Sequence, residues 1–262
     1  MNSFFHDGYL VQASESKSSH SEIKEIVISS INEQLERLIP GHKKTSDLSR
    51  LHESLPIDNV NEVRVNAYNS INNSLNLHDK CFNLVEDSIL KLLGPDLAVQ
   101  AKINLSIVMP NDASSVIPLH SDINTGEPLH ELVIWIPITN CHDTNSIFLT
   151  DKSLSFQMHS LLPDLNNLES PTLSETADEL FDFNYLKVDS NSVIVFSPLL
   201  YHGSNTNTTN TTRISLNYRM KSIFTPFEHS KCEGKGLNSF FVPFRESDLT
   251  KLVKSYRLPQ FS

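Results

Sequence analysis

The sequence predicts a mostly β fold with flanking helices, a sandwich or jelly roll with the helical N-terminal part packed outside it. Three observations lead there. Apolar residues recur at a helical period in roughly the first 98 residues. From about residue 100 the period falls to 2, the mark of half-buried strands. Most of the later runs are separated by stretches too short for a crossover helix, which argues for antiparallel pairing.

The helical part begins with Ser21–Gly41, "SEIKEIVISSINEQLERLIPG", where Ile23, Ile26, Val27, Ile31, Leu35 and Leu38 form one stripe. Ser19 or Ser21 can cap its start, and Pro40-Gly41 ends it. A second helix is expected over about 79–93, with Phe82, Val85, Ile89 and Leu92 inward and Gly94-Pro95 closing it. Between them, a further helix is expected around Val63–Ile71 in an Asn- and Ser-rich stretch. The strand runs follow: "KINLSIVMP", "HELVIWIPIT", "NSIFLT", "SVIVFSP" and "RISLNYRMKSIF". Each is β-branched, aromatic or alternating and is bounded by Pro, Asn or Asp. The acidic stretch of about 151–185 reads as an insertion or lid with one short helix in "SETADELFDF". No repeat or linker divides the chain. The sequence therefore reads as one domain over 1–262, with a β core of about 99–224 and a C-terminal extension of about 225–262.

Charge and composition exclude several function classes. The 262 residues carry a formal net charge of −10, which repels phosphate backbones, and the longest basic run is Lys43-Lys44. Binding to nucleic acid or to a membrane is therefore not expected. Three widely spaced cysteines form no CxxC pair, which argues against a zinc cluster or disulfide framework and for a reducing compartment. The N-terminal residues lack the pattern of a secretory signal, and no run of about 18 apolar residues occurs. A cytoplasmic protein acting on a small molecule is the expectation. Nothing in the sequence speaks to its oligomeric state.

The chemistry centres on His120-Ser121-Asp122. With 11 His and 15 Asp in the chain, roughly 0.6 His-x-Asp triplets arise by chance, so the motif alone decides nothing. On a strand, however, residues i and i+2 leave the same face. His202, where "VIVFSPLLYHGSNTN" leaves a buried run, is the candidate third ligand. Two imidazoles and one carboxylate leave three open positions, the set suited to non-haem Fe(II). His130 and His142-Asp143 are nearby competitors, and any of these histidines alone is more simply a polar strand-end residue.

The strand after His202 strengthens the case. Arg213, Ser215, Asn217 and Arg219 face one way, and Ile214, Leu216, Tyr218 and Met220 the other. A polar row with two guanidinium groups is costly to bury unless it is paired or binds an anion. A cosubstrate with two carboxylates suits it, one end on the metal and the other held by Arg213 with a hydroxyl two residues on. The alternative is a solvated edge strand whose arginines pair with surplus Asp and Glu.

In His120-x-Asp122, the distal His202-Gly203-Ser204, and Arg213 eleven residues after His202, the chain resembles the Fe(II)- and 2-oxoglutarate-dependent dioxygenases of the phytanoyl-CoA dioxygenase type. "HELVIWIPIT" with "TNSIFLT", and "NTNTTNTTRISLNYR", are similar to a bacterial branch, the streptomycin-biosynthesis-type dioxygenases. The resemblance covers about 103–220, with a weaker match in "FFHDGYLV" (Phe4–Val11). It implies a double-stranded β-helix core of the cupin-like jelly-roll kind. It implies Fe(II) on His120, Asp122 and His202, with 2-oxoglutarate and O2 as cosubstrates. Arg213, Ser204, Ser215 and, more loosely, Asn104 would hold 2-oxoglutarate. Glu131, Trp135 and Asn145 match recurrent positions on the substrate side, and Trp135 serves equally well as a core aromatic. Asn217 and Arg219, with Glu131, suggest a polar metabolite or sugar-type substrate. Halogenating relatives lack the carboxylate, so Asp122 favours hydroxylation, with succinate and CO2 as coproducts. Two other readings stay open: a jelly-roll metal enzyme that ignores 2-oxoglutarate, such as a cupin isomerase or another oxygenase, and a non-catalytic binding domain.

Overall fold

The computed structural model describes residues 2–161, 184–226 and 235–256. Helix α1 (Asn2–Asp7) turns at Gly8, φ +81°, into strand β1 (Tyr9–Ala13). Helix α2 (Lys17–Leu38) starts four residues before the expected point, because Ser16 is the cap and accepts from Ser19 N. Its stripe of Ile23, Val27, Ile31 and Leu35 has no exposure. Helix α3 (Val60–Asn72) lays Val63, Ala67 and Ile71 against it. The single helix expected over 79–93 is two, α4 (Leu77–Phe82) and α5 (Glu86–Leu93). The break has a cause: Leu84 O accepts from Glu15 N, and Asn83 donates to Ser19 Oγ. The 84 carbonyl is thereby taken by β1's extension, while Leu84 and Val85 turn into the core.

The strands that follow are β2 (Leu97–Gln100), β3 (Asn104–Val108), β4 (Glu131–Pro137), β5 (Phe148–Leu149), β6 (Ser192–Phe196), β7 (His202–Gly203), β8 (Arg213–Ser222) and β9 (Phe241–Arg245). Helix α6 (Lys152–Leu161) follows β5, and α7 (Asp248–Ser255) follows β9. The large sheet runs β1-β6-β4-β8-β2-β9, all antiparallel. Strand β8 is long enough to pair with β4 along one edge and with β3 and β2 in turn along the other. Strands β5 and β7 form a second, small sheet. The expected strand runs all contain strands, but four strands fall outside those runs: β1, β2, β7 and β9. β1 lies in the N-terminal part, and β9 draws the C-terminal extension into the large sheet beside β2.

Period-2 alternation gives the large sheet two different faces. Leu132, Ile134, Ile136, Val193, Val195, Ile214, Leu216, Tyr218 and Met220 join the buried stripes of α2 and α3 in the main core. Full burial of each such aliphatic side chain contributes roughly 1.5–3 kcal/mol. The opposite face carries Val133, Trp135, Ile194 and Phe196 toward the small sheet. The expected β predominance needs correcting: among the described residues more lie in helices than in strands, so this is a mixed helix and antiparallel-sheet fold. The sequence reading left out the helical share contributed by α1, α6 and α7. The helix expected in "SETADELFDF" lies outside the described residues. Among those described, no helix is long and apolar enough to cross a membrane.

Candidate metal centre

His120 and His202 meet across an antiparallel bridge at the edge of the small sheet. His120 N donates to His202 O at 2.9 Å, and His202 N to His120 O at 2.8 Å. On its other side His202 pairs with Leu149 of β5. Asp122 opens a 3-10 turn (Asp122–Thr125) just after this bridge. The residue between them, Ser121, is fully buried and donates its hydroxyl to Pro198 O at 2.8 Å. The two residues do come together, but not as one face of a strand: the extended pairing ends before Asp122, which opens the turn.

The tautomers follow from the hydrogen bonds. His120 Nδ1 lies 2.8 Å from Pro118 O, and His202 Nδ1 lies 2.9 Å from Leu200 O. A carbonyl only accepts, so in both rings Nδ1 carries the proton and Nε2 presents a lone pair. These Nε2 atoms face Asp122 Oδ1 at 3.4 Å and 3.9 Å. One ligand atom from each residue lies within 4.8 Å of the others. Two imine nitrogens and a carboxylate oxygen, all acceptors, therefore converge where a metal cation would satisfy them together. The carbonyl anchors at Nδ1 are the kind that orient metal-bound imidazoles.

Electrostatics agree with that reading. Burial and the neighbouring His120 push the His202 pKa down to about 4, so it is neutral and able to ligate at neutral pH. Burial opposes charge on His120 too, but the Asp122 carboxylate outweighs it and raises the His120 pKa. Asp122 is buried, yet Arg219 above all holds it well below the usual carboxylate range. Arg219 Nη2 donates to Asp122 Oδ2 at 2.8 Å.

The three residues line one wall of a cavity of about 650 Å³. Arg213, Ser215, Asn217 and Arg219 of β8 line it as well, together with Asn104, Ser106, Trp135 and Phe196. Asn104 Nδ2 donates to Asn217 Oδ1 at 2.9 Å. Arg213 is 1% exposed, and among the described residues its acceptor is the neutral carbonyl of Asn145 at 3.3 Å. Its Nε has no hydrogen-bond partner, and among the described residues no carboxylate lies within ion-pair distance. Burial pushes its pKa down to about 10, still far above neutrality. A buried, charged guanidinium without a carboxylate partner, facing the triad's cavity, has the chemistry to hold an anion.

Three residues expected at the site are placed elsewhere. Ser204 Oγ accepts from Ile117 N at 3.1 Å, stitching two loops beside the bridge rather than lining the cavity. Asn145 is buried in a turn, accepting from His142 N and donating to Thr211 Oγ1. Its backbone carbonyl, not its amide, meets Arg213. Glu131 sits behind Arg219, with Oε1 3.2 Å from Arg219 Nε and neither oxygen hydrogen-bonded. Trp135 lines the cavity and also packs in the core between the sheets.

The structure adds residues that the sequence reading missed. Asn61 and Arg64, on the first turns of α3, line the cavity from the helical side. Arg64 Nη2 donates to Asn61 Oδ1 at 2.6 Å, and no described carboxylate pairs with it. Glu127, Gln100 and Lys235 gather around Arg219 and Glu131. No periodic or motif signal distinguishes any of them in the sequence. Gly203 could have been found from "HGS", since a side chain there has no room.

Solved structures share this fold. The non-heme monooxygenase ThoJ in its apo form matches with a TM-score of 0.52 at 17% identity, over 94% of this chain and 84% of ThoJ. The ThoJ–nickel complex matches with 0.50 at 17%, over 95% and 84%. AviO1 from Streptomyces viridochromogenes Tue57 matches with 0.51 at 15% identity, over 86% and 94%. No protein-family model and no curated protein matches the chain. At these identities the likeness is one of fold.

Proposed function

We propose that the chain is a non-haem Fe(II)- and 2-oxoglutarate-dependent oxygenase that hydroxylates a small polar metabolite or natural-product intermediate. The observation that carries this reading is the pairing, in one cavity, of an acceptor-only His-Asp-His triad with the unpaired buried guanidinium of Arg213. Two imidazoles and a carboxylate suit Fe(II) and leave it open positions. The fold shared with ThoJ, a non-heme monooxygenase also solved with nickel, supports the same class. We read the two antiparallel sheets, one face of each turned to the cavity, as a jelly roll in a single domain.

In this reading His120, Asp122 and His202 hold the metal. Arg213 takes the distal carboxylate of 2-oxoglutarate, with the Ser215 hydroxyl beside it. The bound Fe(II) and 2-oxoglutarate supply dioxygen activation, with succinate and CO2 as coproducts. The chain's own residues orient and shield. Trp135, Ile147 and Phe196 keep water from the reacting face, and the Asn104–Asn217 amide pair offers hydrogen bonds to a polar substrate. Arg64 and Asn61 fit an anionic group on that substrate, because they add a second guanidinium with no carboxylate partner. Buried, unpaired Cys81 and Cys141 suit a reducing, cytoplasmic setting.

The test is anaerobic titration with Fe(II) and then 2-oxoglutarate. One metal per chain is expected, lost in His120→Ala and His202→Ala but kept in His142→Ala. Metabolite-stimulated succinate release should follow. Metal uptake that survives both triad substitutions would sink the reading.

A further inference from the structure

We infer that Arg219 is a positioning residue that holds Asp122 to a single ligating oxygen, and so keeps a coordination position free for 2-oxoglutarate. The inference rests on the function proposed above. The two Asp122 oxygens have different surroundings. Oδ1 faces both histidine Nε2 atoms, at 3.4 Å and 3.9 Å. Oδ2 receives Arg219 Nη2 at 2.8 Å. A carboxylate free to use both oxygens takes two of six positions, leaving two after the histidines. 2-Oxoglutarate needs two and dioxygen one. A charge-assisted hydrogen bond on Oδ2 therefore protects the third position, and such bonds are among the stronger ones in proteins.

What surrounds Arg219 shows that it is built in and not left for substrate. Nη1 reaches Gln100 Oε1 of β2 at 3.4 Å. Nε faces Glu131 Oε1 of β4 at 3.2 Å and Glu127 Oε1 at 3.7 Å. Lys235 Nζ in turn holds that Glu127 oxygen at 2.6 Å. Two nitrogens of the guanidinium are thus hydrogen-bonded, Nη2 to Asp122 and Nη1 at longer range to Gln100, while Nε has no hydrogen bond but lies within ion-pair distance of Glu131 and Glu127. A planar fork fits this set and an ammonium does not. Arg213, six residues earlier on the same face of β8, shows the contrast: it has one weak neutral acceptor and is left for a ligand.

Calorimetry with Ni(II), a redox-inert probe, followed by 2-oxoglutarate on the Ni(II)-loaded chain, tests this. Arg219→Met should bind Ni(II) within about threefold of wild type, or more tightly, and 2-oxoglutarate at least about tenfold more weakly, the scale on which partners of metal ligands act. Arg219→Lys should fall between, since it can still hold one carboxylate oxygen. The Co(II)-substituted visible spectrum should change in Arg219→Met before 2-oxoglutarate is added. Arg213→Met loses 2-oxoglutarate at its other end and should keep the wild-type Co(II) spectrum. Wild-type 2-oxoglutarate affinity in Arg219→Met, or Ni(II) affinity weakened tenfold or more, overturns the inference. Should Arg219→Met fail to fold, Arg219→Lys decides: a smaller loss of 2-oxoglutarate affinity with Ni(II) affinity kept supports the inference, and wild-type 2-oxoglutarate affinity overturns it. A wild-type chain that binds neither Ni(II) nor 2-oxoglutarate overturns the proposed function itself and takes this inference with it.

Discussion

His120 and His202 exchange both of their backbone hydrogen bonds, at 2.9 Å and 2.8 Å, and their imidazole rings lie 4.3 Å apart between centroids. Paired residues across an antiparallel bridge leave the same face, so the backbone alone sets the separation of the two rings. The carbonyls of Pro118 and Leu200 then fix which nitrogen each ring turns to Asp122. The backbone pairing and these two carbonyls thus bring the candidate ligand atoms together. The tautomers and spacing a metal needs are consequences of sheet pairing.

Gly203 protects that pairing. A Cβ there would lie 2.7 Å from Phe148 Cζ, 2.8 Å from Ile117 O and 3.1 Å from Leu119 N. Two of these neighbours are backbone atoms of the segment that leads into His120, so relief must move the bridge. Gly203→Ala should destabilise the chain by about 1–3 kcal/mol, the usual scale of overpacking. It should also weaken metal binding, read by urea midpoint and Ni(II) titration. Gly236→Ala, whose Cβ meets only Ser239 Oγ at 3.7 Å, is the control. Equal behaviour of the two variants would refute the argument.

Much of this was legible in the sequence where side chains alternate. Leu132, Ile134 and Ile136 reach the helical core while Val133 and Trp135 turn inward, as the run from Glu131 to Pro137 implies. The polar row Arg213, Ser215, Asn217 and Arg219 does share one cavity wall. What alternation cannot reveal is which partner reaches each side chain. Glu131 and Arg219 have the polarity of substrate-binding residues, but Arg219 is occupied by Asp122 and Glu131 is hidden behind it. Arg64 shows no signal because its importance comes from α3 packing beside β3, a contact between distant segments. β9 was missed because pairing with β2, not periodicity, makes it a strand.

Arg213 carries opposite consequences for stability and binding. Its buried charge has no carboxylate partner among the described residues. Arg213→Met should raise the stability of the ligand-free chain by roughly 1–3 kcal/mol, since an uncompensated charge is removed from the interior. Wild type should gain about 2.7 kcal/mol with 2-oxoglutarate at 100 times its Kd, and the variant nothing. Thermal melts with and without 2-oxoglutarate read both effects. A variant less stable than wild type without ligand would show that Arg213 is paired structurally.

Arg64 should report on substrate alone. It lines the cavity on α3, apart from β8, and among the described residues it hydrogen-bonds to Asn61 alone. Arg64→Ala is expected to raise KM for an acidic substrate about tenfold or more, the worth of one hydrogen bond to a charged group. The affinity of the metal-loaded chain for 2-oxoglutarate should not change. If 2-oxoglutarate affinity falls instead, Arg64 belongs to the cosubstrate end.

Glu131 makes stability depend on pH in a direction that can be worked out. Burial pushes its pKa up to about 9 from an ordinary 4.5, more than the nearby Arg219 pulls it down. Between those values the folded chain keeps a proton that the unfolded chain releases. The stabilisation is complete below about pH 4.5 and is lost as pH rises through about 9. The protonated carboxyl also balances its surroundings, leaving Arg219 with Asp122 and Lys235 with Glu127 as two ion pairs. Glu131→Gln keeps the shape and has no proton to lose. Its stability relative to wild type should therefore grow from pH 5 to pH 9, reaching at least about 1 kcal/mol by pH 8. Urea midpoints of the two chains measured in parallel cancel every other titration. A difference that stays flat, or reverses, would mean that Glu131 is ionised in the folded chain and pairs with Arg219 as a charge. In that case the guanidinium beneath Asp122 would be shared between two carboxylates, and its grip on Asp122 Oδ2 would be weaker than the 2.8 Å contact implies.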